Sequence, residues 1–126
     1  MEFNDNKAIY IQIAEHICEH IMLGTWKAED KLPSVRELAV QLEVNPNTVM
    51  RTYDFLQQKT IIANKRGVGF FVTTDSLQHV QTYRKSIFLE EELPHVFRNI
   101  YLLDITLEEL KTRYQDFINE NFKSLQ

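Results

Sequence analysis

The sequence has one cysteine, three glycines and three prolines among 126 residues, and these low counts restrict the possible folds. Cys18 alone cannot form an intramolecular disulfide, so we expect a reducing compartment. Few glycines and prolines argue against long loops and favour a helix-rich chain. No apolar run approaches the roughly 18 residues of a membrane-spanning helix. The start, MEFNDNKAIY, lacks the basic and apolar regions of a signal peptide. We therefore expect a cytoplasmic protein with no membrane partner.

The sequence also lacks a set of residues with the chemistry of an active site. We find no arrangement that combines a nucleophile, a base and an oxyanion hole, and no glycine-rich phosphate loop. His16 and His20 lie four residues apart with Glu19 between them, but two imidazoles are too few for a tight structural metal site. We therefore expect a protein that is not an enzyme and has no catalytic residues, no metal and no cofactor.

Charge is distributed unevenly along the chain, although the net charge is −4. Residues 31–72 contain six basic and three acidic side chains, whereas residues 1–30 and 75–126 are both acidic. A basic segment between acidic flanks can attract nucleic-acid phosphates if the flanks face away from them. The charge pattern therefore favours the middle of the chain as a nucleic-acid contact.

The first part of the chain predicts one amphipathic helix over residues 7–23. Gly24 follows the last periodic residue and is a typical helix end. We expect Cys18 to be a small buried residue of this helix, and Trp26 to enter the core from the link over residues 25–31. The apolar stripe that supports the helix consists of Tyr10, Ile13, Ile17 and Ile21, widened by Ala14, Cys18 and Met22.

Residues 32–59 predict two short helices with a turn between them. Ser34 and Glu37 form an S-x-x-E capping box, which starts a helix over residues 34–43. Asn45 suits the cap of a second helix and Pro46 its first position, so we expect that helix over residues 46–59. Its expected inward side chains are Val49, Tyr53 and Leu56, and its expected outward side chains are Asn47, Thr48 and Arg51.

A β-hairpin is predicted after the second helix. The β-prone segments Ile61-Ile62 and Phe70-Phe71-Val72 flank the sequence NKRGVG, whose glycines suit a tight turn. Helix, turn, helix and basic hairpin form a winged helix-turn-helix, which places one helix in the DNA major groove and the hairpin beside it. The sequence therefore predicts a mainly α fold with a small β-hairpin, in which residues 1–74 form a winged helix-turn-helix DNA-binding domain.

The remaining residues, 75–126, predict a C-terminal helical dimerisation segment. Pro94 interrupts an apolar stripe and should kink or split a long helix. Thr106 and Glu109 form a second capping box. We expect the last helix to direct Leu107, Leu110, Tyr114, Phe117 and Ile118 inward. The stripe is too large for 52 residues to bury alone, so we expect a homodimer that pairs through Leu89, Leu93, Val96, Phe97 and Ile100.

The sequence resembles the GntR family of bacterial transcription regulators, specifically its small YtrA-type subfamily. The resemblance covers about residues 8–72 and rests on AIYIQIAEHICEHIMLG, LPSVRELAVQL, VNPNTVMRTYDFL and RGVGFFV, in this order. It implies a homodimeric repressor with a short helical tail in place of a large ligand-binding domain. The chain departs from the family pattern where glycine is usual, at Glu29, Glu43 and Thr60, and at Met50, where arginine is frequent.

The resemblance also implies which residues contact double-stranded DNA. Arg36, Asn47, Thr48 and Arg51 would lie in or beside the major groove, and Ser34 would reach a phosphate. The hairpin residues Lys65, Arg66, Gly67 and Gly69 would form the wing. The chemistry agrees, because arginine can bind guanine or a phosphate through two hydrogen bonds and glycines let a backbone approach the duplex. Any small-molecule effector, whose identity is unknown, is expected at the dimer interface or between the tail and the winged domain.

Other interpretations of these residues remain open at the sequence level. Arg36 could pair with Glu37 or Glu43 on a solvated face, and Ser34 could act only as a helix cap. Met50 and Tyr53 could be core residues only. The glycine hairpin could contact nothing. The alternative function is a winged-helix protein-interaction module without DNA binding.

Overall fold

The computed structural model describes residues 1–4 and 6–123. The predicted mainly α fold with one small hairpin is confirmed. The chain divides into two compact units, Met1–Lys85 and Ser86–Gln126. Its elements in chain order are α1 (Ile9–Met22), α2 (Val35–Leu42), α3 (Pro46–Gln58), β1 (Ile62–Lys65), β2 (Gly69–Val72), α4 (Ser76–Ile87), a π-helical turn (Phe88–Glu92), α5 (Leu93–Leu102) and α6 (Leu107–Asn121).

Helix α1 starts two residues later than predicted and ends one residue earlier, at Met22, and Gly24 just beyond its cap has a φ of +83°. Five of the seven stripe residues are buried in the first unit, namely Ile13, Ala14, Ile17, Cys18 and Ile21, whereas Tyr10 is half-buried and Met22 is 41% exposed. Burial raises the pKa of the Cys18 thiol to about 12. Gln12 is also buried, although its side chain is polar. Its amide accepts a hydrogen bond from Asn4 N and donates to the carbonyls of Asn4 and Lys7. Gln12 therefore fixes the N-terminal segment to α1.

The caps of α2 and α3 form as predicted. Ser34 Oγ accepts a hydrogen bond from Glu37 N, and Ser34 N donates to the Glu37 carboxylate. Asn45 Oδ1 accepts from Asn47 N, and Pro46 occupies the first turn of α3. These local bonds set the starts of the two helices before any tertiary contact is considered.

The hairpin is antiparallel, with Ile62 opposite Val72 and Lys65 opposite Gly69. Ile61, predicted as part of the first strand, lies just before it and is buried. The link over residues 25–31 contains a feature that the sequence did not predict. Its end runs beside β2, where Leu32 N donates to the Phe70 carbonyl at 2.8 Å. A third, short backbone segment therefore supports the hairpin.

The core of the first unit joins all of its elements. Tyr53 and Leu56 of α3, Ile13 of α1 and Val72 of β2 are fully or almost fully buried. Val80 of α4 is equally buried, so the compact unit extends to Lys85. The functional boundary after Thr74 stays a prediction.

The second unit has a helix interruption at the predicted place. Leu93 N donates to the Phe88 carbonyl, which widens the helix by one residue just before Pro94. This widening relieves the clash that a proline ring makes with the carbonyl four residues earlier. At α6, Thr106 caps the Glu109 amide, but the Glu109 carboxylate binds Arg113 Nε, so only half of the second capping box forms.

The apolar side chains of the second unit are not buried within the single chain. None of the residues in the π-helical turn, α5 and α6 is buried. Leu107, Tyr114 and Phe117, predicted to point inward, are 73%, 66% and 56% exposed. The expectation that these three side chains point inward was therefore wrong for the single chain, in which they stay accessible. No helix in the described part of the chain combines the length and apolar character needed to cross a membrane.

Candidate nucleic-acid interface

The N-terminus of α2 presents Ser34 and Arg36. The Ser34 hydroxyl caps the helix and stays exposed, and its hydrogen bond is the leading cause that lowers the pKa of the Glu37 carboxyl. Arg36 is exposed and, among the described residues, forms no ion pair with Glu37 or Glu43. The arginine is therefore available for a ligand outside the chain.

Helix α3 directs Asn47, Thr48 and Arg51 away from its buried face. The three positions lie within one turn on the same side of the helix, since residues three and four apart are neighbours on a helix surface. Met50 is 42% exposed and belongs to the solvent-facing part of α3, so the interpretation of Met50 as a core residue was wrong. This surface has the size and composition of a recognition helix that enters a DNA groove.

Arg51 is held in place by an aromatic ring of another helix. Its guanidinium carbon lies 4.0 Å from the ring centroid of Tyr10 in α1. A guanidinium that stacks on a ring through its face keeps the N–H groups at its edge free for hydrogen bonds. The Tyr10 ring in turn packs against Phe55 in a T-shaped contact, with 6.2 Å between ring centroids. The stack therefore orders the arginine without consuming its hydrogen-bond donors.

The turn of the hairpin carries Lys65, Arg66 and Gly67. Val68 N donates to the Lys65 carbonyl at 2.9 Å, and Gly67 adopts a φ of +78°, which this turn requires at its third position. Gly69 has a φ of +141°, and an added Cβ there would lie 3.1 Å from Lys31 Cε. The two glycines therefore allow a tight tip with Lys31 packed against its base.

An acidic residue partly offsets the charge of this hairpin. Glu29 Oε2 lies 3.5 Å from Lys65 Nζ, and both side chains are more than half exposed. A hydrogen bond from Thr74 and the charge of Lys65 hold the pKa of the Glu29 carboxyl below its usual value. Such an exposed pair is weak, so a phosphate can compete for the lysine.

Tyr53 joins the three parts of this surface. Its hydroxyl donates to the Pro33 carbonyl at 2.6 Å, next to the cap of α2. Its ring packs against Phe70 of β2, with 4.7 Å between centroids. The whole side chain is buried, as expected from its inward position on α3. Tyr53 therefore fixes α3 relative to both the start of α2 and the hairpin.

Two residues that shape the surface were not identified from the sequence. Tyr10 was predicted only as part of the apolar stripe of α1, and Lys31 contributed only to the count of charges. The proximity of Lys31 to the base of the hairpin could have been suspected from its place just before the helix-turn-helix. The contact of Tyr10 with Arg51 links residues 41 positions apart and has no local signal. In the described ranges, 1–4 and 6–123, no group of three or more potential ligands could hold a metal ion.

Together, α2, α3 and the basic hairpin define the chain as a winged helix-turn-helix protein. The chain belongs to the family described as bacterial regulatory proteins, gntR family, whose model matches residues 9–72. It is 35% identical over 109 residues to the HTH-type transcriptional regulator YhcF of Bacillus subtilis (strain 168), covering 86% of this chain and 88% of that protein. It is 34% identical over 102 residues to the HTH-type transcriptional repressor YtrA of the same organism, covering 81% and 78%. The YtrA-type resemblance is thus confirmed.

Solved structures support the same class. A putative transcriptional regulator of the GntR family from Bacteroides thetaiotaomicron is 46% identical, with a TM-score of 0.71, and the match covers 90% of this chain and 98% of that chain. The DNA-binding domain AraR(DBD), solved in complex with operator ORR3, is 25% identical, with a TM-score of 0.53, over 58% and 88%. The family and these relatives are transcriptional regulators and not enzymes. The protein is accordingly a DNA-binding transcriptional regulator.

Proposed function

We propose that the protein is a homodimeric repressor that binds a palindromic operator through its winged helix-turn-helix. The main observation in support of the proposal is the position of Tyr53. Its contacts hold α3 against both the start of α2 and the hairpin, so that the three elements form one surface. A surface fixed in this way can present base contacts and phosphate contacts in a constant register. The YtrA relative, named as a repressor, supports the same role.

The proposed contacts follow from the chemistry of each side chain. Arg36 and Arg51 read bases or grip phosphates through paired N–H groups. Asn47 and Thr48, near the start of α3, bind phosphate oxygens or base edges, and Ser34 adds a phosphate contact. The wing contributes Lys65 and Arg66 to the phosphate backbone, while Gly67 and Gly69 permit its close approach.

Dimerisation is assigned to the second unit. Val96 and Phe97 of α5 and Leu89 of the preceding turn are 43%, 55% and 42% exposed, and Leu93 and Ile100 are half-buried. These five residues recur at helical spacing, as an interface between two helices requires. Large apolar patches of this kind mark association surfaces rather than free solvent-exposed faces. A two-fold dimer would place two winged domains on the two halves of one site.

Selection of binding sites from a random DNA library, followed by footprinting, tests the proposal directly. We expect enrichment of an inverted repeat whose half-site centres lie roughly 10 base pairs, or a multiple of that spacing, apart. Transcription in vitro from a promoter that carries the selected site should fall when the protein is added. A single asymmetric site would contradict the palindrome, and increased transcription would contradict repression. Failure to enrich any DNA at low salt would favour a protein-interaction module.

Substitution of the two helix arginines tests the placement of the surface. Arg36→Ala and Arg51→Ala should each weaken binding to the selected site by about 1–3 kcal/mol, with a melting temperature close to that of the wild type. Arg66→Ala should weaken binding to all sequences more evenly and reduce the salt dependence. His95→Ala, on α5, serves as a matched surface control. Unchanged affinities of both arginine variants at fixed salt would show that the surface lies elsewhere.

A further inference from the structure

An exposed stripe runs along α3 on the side opposite its buried residues. Asn47, Met50, Arg51 and Asp54 are all exposed and recur at intervals of three and four residues, so they lie in one row on the helix surface. Three of them are polar or charged, whereas Met50 is apolar and 42% exposed. Met50 is therefore the apolar member of a stripe that otherwise suits polar contacts.

Met50 lies in the N-terminal half of α3, about one turn after Pro46, the first residue of the helix. The residues of a recognition helix that contact base edges are those near its N-terminus. The far end of the stripe carries Asp54, whose exposed carboxylate would be repelled by DNA phosphates. Both features favour the N-terminal half of α3, which includes Met50, as the part that lies deepest in a groove.

The major groove offers one apolar partner to such a side chain. Hydrogen-bond donors and acceptors line the edges of all four base pairs, but among the common bases only thymine carries a methyl group there, at C5. Against the polar edge of another base, methionine would displace water without replacing its hydrogen bonds. Methionine is also long and flexible, so its end can adapt to the position of a methyl group. An apolar side chain at this place therefore favours thymine.

We propose that Met50 determines the base preference at one position of each half-site by packing the end of its side chain against the 5-methyl group of a thymine. This role rests on the proposed function, in which α3 enters the major groove of an operator, and it names the base that one side chain selects. Arg51, the next residue of the stripe, supplies hydrogen bonds, whereas Met50 supplies an apolar contact. The contact adds affinity only where the sequence provides the methyl group.

Replacement of thymine by deoxyuridine tests the contact, because it removes the methyl group and leaves every hydrogen-bonding group of the base in place. In the operator selected with the full-length protein, each thymine is replaced in turn, at the symmetry-related positions of both half-sites together. Affinities are measured at one fixed salt concentration. We expect a position at which the affinity falls about fourfold for each methyl group removed, and roughly fifteenfold for the pair, as burial of one methyl group implies.

Two variants show whether Met50 makes the contact. Met50→Gln keeps the length of the side chain but gives it a polar end, so the loss of affinity on replacement by deoxyuridine should disappear at that position. Met22→Gln is the matched control, since Met22 lies on α1 and is 41% exposed, and it should keep the full loss. A new selection with Met50→Gln should no longer enrich thymine at that position and should retain the rest of the operator.

The outcomes separate the role of Met50 from the proposed function. Melting curves establish that each variant is folded. If an operator is selected but none of its thymines depends on the methyl group, or if the methyl effect persists in folded Met50→Gln, the role of Met50 is overturned and operator binding stands. If no DNA is enriched even at low salt, both are overturned.

Discussion

Three residues of this protein have the positive φ values that glycine adopts most easily, and they stand at positions where its family usually has glycine. Glu29, Glu43 and Thr60 have φ values of +73°, +56° and +62°. The turn geometry that the family pattern implies is therefore kept, although the glycines are absent. For a side chain with a Cβ this conformation is unfavourable by roughly 1–2 kcal/mol. Thr60 should be the most strained, because its β-carbon is branched.

Thr60→Gly should therefore raise the free energy of unfolding, by about 1 kcal/mol after allowance for the greater freedom of glycine in the unfolded chain. The residue is exposed and its backbone hydrogen bond to Gln57 does not involve the side chain. Chemical denaturation measures the difference. Thr60→Ala keeps the Cβ and should recover less of the stability. Lys59→Gly, at a position with φ of −84°, should lower stability instead. Equal stability of the glycine and alanine variants at position 60 would contradict the strain argument.

The stack of Arg51 on Tyr10 should contribute to DNA binding through the order of the arginine. Tyr10→Leu keeps an apolar side chain but removes the ring, and we expect affinity for the selected operator to fall by about two- to fivefold, as expected for an exposed cation–π contact of about 0.5–1 kcal/mol. Tyr10→Phe keeps the ring and should bind almost as tightly as the wild type. In an Arg51→Ala background, Tyr10→Leu should cause no further loss. An equal loss in both backgrounds would show that Tyr10 acts independently of Arg51.

Contacts between the elements of the candidate interface converge on Tyr53. Tyr53→Phe leaves the ring against Phe70 but removes the donor to the Pro33 carbonyl. We expect a loss of about 0.5–1.5 kcal/mol in the free energy of unfolding and weaker operator binding, because the start of α2 is less firmly held. Tyr101→Phe is the matched control, since Tyr101 is 84% exposed on α5. Unchanged stability and affinity in Tyr53→Phe would show that the hydrogen bond does not position α2.

The elements that could be predicted from the sequence are those whose boundaries depend on local bonds. The caps at Ser34 and Asn45 lie within three residues of the amides that they bind, so α2 and α3 began where expected. The strand-like end of residues 25–31 could not be predicted, because its partner β2 lies about forty residues away and no alternation marks it. Pro94 predicted an interruption, but the choice of a π-helical turn depends on the packing and hydrogen bonding of the whole helix.

For the candidate site, too, the features that depend on sequence spacing could be predicted, whereas those that depend on tertiary contacts could not. Helical periodicity placed Asn47, Thr48 and Arg51 on the outer face of α3, since only the sequence spacing is needed for that. The stack on Tyr10 and the hydrogen bond of Tyr53 depend on tertiary distances. They became evident only from the structure.

At the scale of the whole molecule, the exposed apolar residues of the second unit should control both assembly and affinity for DNA. Phe97→Glu places a charge within the proposed dimer contact, where its burial without a partner would be costly. We expect the variant to be monomeric at micromolar concentration by light scattering or sedimentation, whereas the wild type is dimeric. Because a monomer occupies one half-site, the variant should bind the full palindrome with an affinity close to that for a single half-site.

A matched variant distinguishes loss of the contact from a general effect of added negative charge. His95→Glu introduces the same side chain on α5 outside the stripe of Leu93, Val96, Phe97 and Ile100, and should remain dimeric. Melting curves of both variants should still show the unfolding transition of the first unit at the wild-type temperature, because the core of that unit contains no residue of α5. If Phe97→Glu stays dimeric, or if the wild type is a monomer at micromolar concentration, α5 does not form the dimer contact. If Phe97→Glu is monomeric but binds the palindrome as tightly as the wild type, dimerisation does not contribute to the affinity for the operator.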